Sequence, residues 1–267
     1  MLWQGCRIPT YICRPMSQNK LARFAAIERF ANVWQKPAGM AGRWQQEAFK
    51  HTYPITLELA CGKGEYTTGL AAMYPQRNFL GVDVKGNRIY VGAKHALANQ
   101  LTNVAFLRTQ IEQIDLHFGP EEVSEIWITF PDPQIRPGKH KKRLTHPVFL
   151  RRYHQFLKPG AFIHLKTDSP ILYAFTCQVI EQYGCTMVTK YDDVRQEAQE
   201  PELLNITTHY EKLDIAQSGK IFYVCFKLPG VLADKGQDEL LKKWVFEHEA
   251  TGNSYCNSQE YDRTEEP

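Results

Sequence analysis

The chain has no apolar run approaching the ~20 residues that a membrane-crossing helix needs, so the sequence marks no membrane span. Its first residues, MLWQGCRIPTYICRP, lack the apolar core of a secretory signal, because Arg7, Pro9 and Arg14 interrupt them. Seven cysteines lie scattered at Cys6, Cys13, Cys61, Cys177, Cys185, Cys225 and Cys256 without a CxxC pair, and nine histidines form no HExxH. Neither a zinc site nor a disulfide framework follows from such spacing. Reduced thiols, a cytoplasmic setting and no metal are therefore expected. The net charge is only +3, so overall charge announces no polyanionic partner, and any such signal must come from local clustering. A GxxxxGK phosphate loop is also missing, which disfavours a diphosphate ligand.

What remains is ordinary globular material. The 267 residues give room for one α/β domain plus extensions, and a hydrophobic fraction of 43% suffices for its core. Residues 1–15 read as an upstream extension or misassigned start, and Met16 opens a more ordinary sequence. Lys20, Arg23 and Arg29 mark 16–50 as a basic, helical arm. The domain proper is expected over 51–230. A C-terminal extension, 231–267, ends in a polar, acidic stretch from about Gly252 that reads as a flexible tail.

Within the domain, apolar runs predict strands at Ile55–Leu59, Phe79–Val82, Val104–Leu107, Ile126–Phe130, Phe162–Lys166 and Phe222–Lys227, with a weaker one near Met187–Lys190. Helical patterns fall between them at Tyr66–Met73, Arg88–Asn99, His146–Leu157 and Ile171–Tyr183. Such alternation implies a seven-stranded, mostly parallel sheet with helices on both faces. Ligands of such sheets bind at the carboxyl ends of the strands.

The first of these strands runs into LELACGKGEY, which holds Glu58, Gly62 and Gly64. The glycines permit a tight turn and close approach of a ligand, although for a lone GxG a plain turn between strand and helix is the favoured reading. Glu58 tips the reading. A carboxylate inside an apolar strand costs several kcal/mol to bury unpaired, so it calls for partners. Asp83 ends the next strand about twenty residues on, placed to accept hydrogen bonds from a ribose. GKGEYTTG lacks the third glycine of a dinucleotide fingerprint. Cys61, in the same loop, reads as a small filler.

The segment ITFPDPQIRPGKHKKRLTHP, Ile128 to Pro147, is the most specific. A strand ends in Asp132, held between Pro131 and Pro133, and a run of cations follows: Arg136, Lys139, Lys141, Lys142 and Arg143, continuing in Arg151 and Arg152. By residue types alone Asp132 is either a turn aspartate or a reactive group. The cations are either a solvated face or a phosphate grip.

ExxxGxG with an acid after the second strand resembles the S-adenosylmethionine site of class I methyltransferases. FPDPQIRPGKHKKRLTHPVFLRRYHQFLKPGAFIHLKTD is similar to the bacterial tRNA (guanine-N7-)-methyltransferases, and the likeness extends over roughly residues 18–228. The resemblance implies a Rossmann-like class I methyltransferase fold. It also implies methyl transfer from S-adenosyl-L-methionine to guanosine N7 in the variable loop of tRNA. Glu58, Gly62, Gly64, Asp83, Gln110 and Asp132 would hold the cofactor, with Asp132 also catalytic. Arg136, Asp168, Thr208, His209, Tyr210 and Glu211 would contact the substrate, and Lys139, Lys141, Lys142, Arg143, Arg151 and Arg152 the phosphates.

Several positions depart from the family wording. Ala60 replaces a glycine, Gln134 a tryptophan, Arg136 a lysine and Gln110 an acid. Asp168 also suits a helix cap, and Thr208-x-x-Glu211 a capping box, although strand-forming neighbours favour a guanosine contact there. A methyltransferase for small molecules or proteins, and a tRNA-binding protein without turnover, remain as alternatives.

Overall fold

A computed structural model describes residues 18–197, 201–213, 215–216, 218–233 and 236–249. The proposed extension 1–15 and the tail from Gly252 lie outside the described residues. The strands are β1 (Val33–Gln35), β2 (Ile55–Leu59), β3 (Asn78–Asp83), β4 (Val104–Arg108), β5 (Val123–Thr129), β6 (Leu157–Thr167), β7 (Thr186–Tyr191) and β8 (Phe222–Lys227). The helices are α1 (Gln18–Ile27), α2 (Glu65–Met73), α3 (Gly86–Ala98), α4 (Pro147–Tyr153), α5 (Pro170–Gln182), α6 (His209–Leu213) and α7 (Gly236–Glu249).

The strands form one sheet in the order β1-β4-β3-β2-β5-β6-β8-β7. Pairing is parallel from β1 through β6 and antiparallel where β8 meets β6 and β7. Strand order reverses at β2, which lies between β3 and β5, so the crevice at the ends of β2 and β5 is the topological switch point.

Side-chain alternation sorts the sheet into two faces. Ile55, Leu57 and Leu59 of β2, with Ile126 and Ile128 of β5 and Ile163 and Leu165 of β6, pack under α4, α5 and α7. The opposite face carries Phe79, Phe106 and Trp127 beneath α2 and α3. Glu58 of β2 and Lys166 of β6 fall on this second parity, one residue out of step with the aliphatic set. Helix α5 shows how the covering forms. Ser169 caps it by accepting from Leu172 N at 3.3 Å, and Pro170 occupies the first turn. Leu172, Phe175, Thr176, Val179 and Ile180 then recur on one buried face.

Two features add to the expected organisation. The segment 16–50 is not wholly a separate basic arm, since β1 pairs with β4, and Trp44 and Phe49 enter the main core. That strand brings the sheet to eight. The stretch after that strand is anchored by Glu122, whose carboxylate accepts from Gly42 N at 2.7 Å and Trp44 N at 3.1 Å. The segment after Gly230 contains α7, whose Leu241 and Val245 are fully buried. Burial of two such side chains contributes roughly 1.5–3 kcal/mol each. Among the described residues, no helix is long and apolar enough to cross a membrane.

Candidate active site

Five candidate acids and amides stand at the carboxyl ends of neighbouring parallel strands: Glu58 in β2, Asp83 in β3, Gln110 after β4, Asp132 after β5 and Asp168 after β6. The loop after β2 is sharply turned, with φ of 57° at Ala60, 55° at Gly62 and 72° at Gly64. Gly64 must be glycine for a second reason. A Cβ there would lie 2.6 Å from the Phe106 ring. Gly62 N donates to Asp83 at 3.0 Å and Lys85 N donates to the other Asp83 oxygen at 2.7 Å. Burial raises the Asp83 pKa, opposed by those two amides and by the charges of Arg88 and Lys85.

Glu58 has the partners that its place in the strand demanded, and all of them are neutral. One oxygen accepts from Thr67 N at 2.8 Å and from the Thr67 hydroxyl. The other accepts from the Thr129 hydroxyl at 2.6 Å. Burial pushes its pKa up to about 7 against the pull of these donors, and the charge of Glu65 adds to the rise.

Asp132 is exposed, and one of its oxygens accepts from Gln134 N at 3.0 Å. Two non-glycine residues in the left-handed region flank it, Phe130 at φ 46° and Gln134 at φ 49°. Each such residue costs on the order of 1–3 kcal/mol and persists only where its surroundings fix it.

Above the glycine loop sits α6. Thr208 precedes it as a cap, its Oγ1 accepting from Glu211 N at 3.1 Å. The Tyr210 ring reaches over the loop, so that a Cβ at Gly62 would meet it at 3.1 Å. The Arg88 guanidinium stacks 5.2 Å from the centre of that ring, and His209 N donates to Glu65 at 3.2 Å. Asp168 accepts from Ala216 N at 3.1 Å, tying the segment after α6 to the end of β6, while Ser169 rather than Asp168 caps α5.

Lys166, which sequence reasoning missed, holds this roof down. It is 1% exposed, and its ammonium donates to Leu204 O at 2.7 Å, Ile206 O at 3.2 Å and Glu211 at 3.0 Å. The signal was available. Like Glu58, Lys166 is an ionisable group inside an apolar strand.

The expected grip of six phosphate-binding cations is corrected in part. Lys139, Lys141 and Lys142 are exposed on a short turn, Pro137–Lys142, and Arg136 just before it is exposed as well. Arg143 is not available to phosphate. It is fully buried and paired with Glu249. Arg151 is bound to both oxygens of Asp238 at 2.8 and 2.9 Å, and Arg152 to Asp115 at 2.8 Å. These two arginines tie α4 to its neighbours.

With this geometry, the comparisons with known proteins agree. A family model described as "Putative methyltransferase" matches residues 52–224. The chain is 42% identical over 229 residues to a tRNA (guanine-N(7)-)-methyltransferase of Bacteroides thetaiotaomicron, covering 82% of this chain and 90% of that one. It is 46% identical over 202 residues to the enzyme of that name from Porphyromonas gingivalis, covering 74% and 82%. The chain belongs to the tRNA (guanine-N7-)-methyltransferase family. Among solved structures, the 16S rRNA methyltransferase KamB matches with a TM-score of 0.53 at 15% identity, over 74% of this chain and 99% of that one. That likeness speaks for the class I methyltransferase fold.

Proposed function

We propose that the chain transfers a methyl group from S-adenosyl-L-methionine to N7 of a guanosine in the variable loop of tRNA, forming 7-methylguanosine. One arrangement carries the reading: an exposed carboxylate, Asp132, stands at the switch-point end of β5, followed at once by the exposed Lys139, Lys141 and Lys142.

The residues fit the cofactor. A side chain at Gly62 would fill the space beneath the Tyr210 ring, and glycine keeps that cradle open for the methionine part. Asp83 uses one acceptor site on each oxygen for backbone amides, which leaves lone pairs for a ribose diol. Gln110 would meet the adenine edge, and Glu58 would set the floor of the loop through Thr67 and Thr129. When bound, S-adenosylmethionine supplies a methyl group activated on a sulfonium.

Guanine N7 already carries a lone pair, so the site needs no base to remove a proton there. Positive charge grows on the purine as the methyl arrives, and the Asp132 carboxylate stabilises it. The same carboxylate suits the guanine N1–H and amino group, a donor pair that adenine lacks. Arg136, Asp168 and Thr208–Glu211 would orient the nucleoside, with Glu211 fixed by Lys166. The exposed lysines would track phosphates. Incubation with unmodified tRNA and labelled cofactor tests the proposal. Label in 7-methylguanosine supports it, and tRNA left unlabelled defeats it.

A further inference from the structure

The buried Arg143 does more than fill space. Its two terminal nitrogens each lie 2.7 Å from an oxygen of Glu249, in a two-pronged pair. Its Nε donates to Pro133 O at 3.1 Å, and Nη2 also donates to Gln134 O at 3.0 Å. The guanidinium lies 4.5 Å from the centre of the Phe175 ring. Gln134 is therefore held on both sides. Its N–H donates to Asp132, and its carbonyl accepts from Arg143. This is the residue whose left-handed backbone requires external support.

Glu249 comes from α7, where Leu241, Val245 and Glu249 recur every four residues on one face. The two apolar members are fully buried, and the Glu249 side chain is 6% exposed. An unbroken set of contacts thus runs from the C-terminal helix through Glu249, Arg143 and the Gln134 peptide to the Asp132 carboxylate. A buried ion pair is weak evidence for stability, because apolar residues of the same volume often serve as well. Apolar residues could not donate to two carbonyls of a strained loop.

We propose that α7 is a strut for the reactive loop, and that Arg143 and Glu249 are positioning residues that fix where the Asp132 carboxylate points. The inference rests on the reading of Asp132 given above. Neither residue touches substrate. Glu249 sets the guanidinium, the guanidinium sets the Pro133–Gln134 backbone, and that backbone sets Asp132.

The test uses the full chain carrying Glu249→Gln, with Glu247→Gln, an exposed position of the same helix, as control. Two readouts are followed: kcat and KM with tRNA and cofactor, and hydrogen exchange at the Gln134 amide against amides of β5. The strut predicts that E249Q loses about tenfold or more in kcat, the scale on which small misplacements act. KM for the cofactor stays within about twofold, and the Gln134 amide exchanges faster while β5 stays protected. E247Q matches the parent chain. Unchanged kcat and Gln134 protection in E249Q overturn the strut, as does a loss of protection spread equally over β5. Should E249Q fail to fold, Arg143→Lys keeps the charge but cannot reach all four acceptors, and the same outcomes decide. If the parent chain makes no 7-methylguanosine, the functional reading falls, while Gln134 exchange still decides the strut.

Discussion

Replacing Glu58 with glutamine should make the protein more stable at alkaline pH and leave it nearly unchanged in mild acid. Among the described residues the carboxyl has only neutral donors, and burial raises its pKa from 4.5 to about 7. The folded chain therefore keeps a proton that the unfolded chain releases. For an acid shifted upward, stability is full below the unfolded value of 4.5 and falls as pH rises toward about 7. At 1.36 kcal/mol per unit, the loss across that window totals roughly 3 kcal/mol. Glutamine has no such titration. Its oxygen can accept from Thr67 and its amide can donate to the Thr129 hydroxyl. Urea denaturation of both proteins at pH 5 and pH 8 isolates the effect, because other titrating groups cancel in the difference. The advantage of E58Q over the parent should grow by roughly 2–3 kcal/mol between those pH values. A difference that stays constant would show that Glu58 is ionised throughout and that the account of its burial is wrong.

Other consequences are as open to measurement. Lys166→Met should lower stability by about 3–5 kcal/mol in urea titration, since Glu211 and two carbonyls lose their shared donor; a loss within error would remove Lys166 as the tie of α6. Asp132→Ala should reduce kcat by about 10²-fold or more, the scale of one preorganised electrostatic group, with tRNA affinity little changed; equal losses would make Asp132 a binding residue. Lys139, Lys141 and Lys142 replaced together by glutamine should flatten the plot of log affinity for tRNA against log salt by roughly 2–3 units. An unchanged slope would place the phosphates elsewhere.

Much of the sheet was legible because both of its faces are buried. Ile55–Leu59 and Phe222–Lys227 match the predicted bounds, β5 begins earlier than expected and stops one residue short of Phe130, and the other predicted strands extend by one to five residues at an end. Glu58 and Asp83 were legible for a related reason: a carboxylate in or ending such a strand has few places to go. The illegible parts are set by distant contacts. A run such as GKHKKR reads the same whether a cation faces water or an acid, and the partner of Arg143 lies 106 residues away. Three-residue β1 carries too little pattern to register, and joins the sheet through its pairing with β4. Helix α7 has a sparse apolar stripe, Leu241 and Val245, that gains meaning only against α5 and the turn Pro137–Lys142. At 208–211 the capping box outweighed the strand-forming neighbours, since Thr208 could satisfy a helical N–H locally.

The central claim concerns one atom of one base. Incubation of the full chain with unmodified tRNA and methyl-labelled S-adenosylmethionine, followed by digestion to nucleosides, tests it most directly. The account predicts that the label is recovered as 7-methylguanosine. Label recovered in another methylated nucleoside, or no transfer at all, would contradict it.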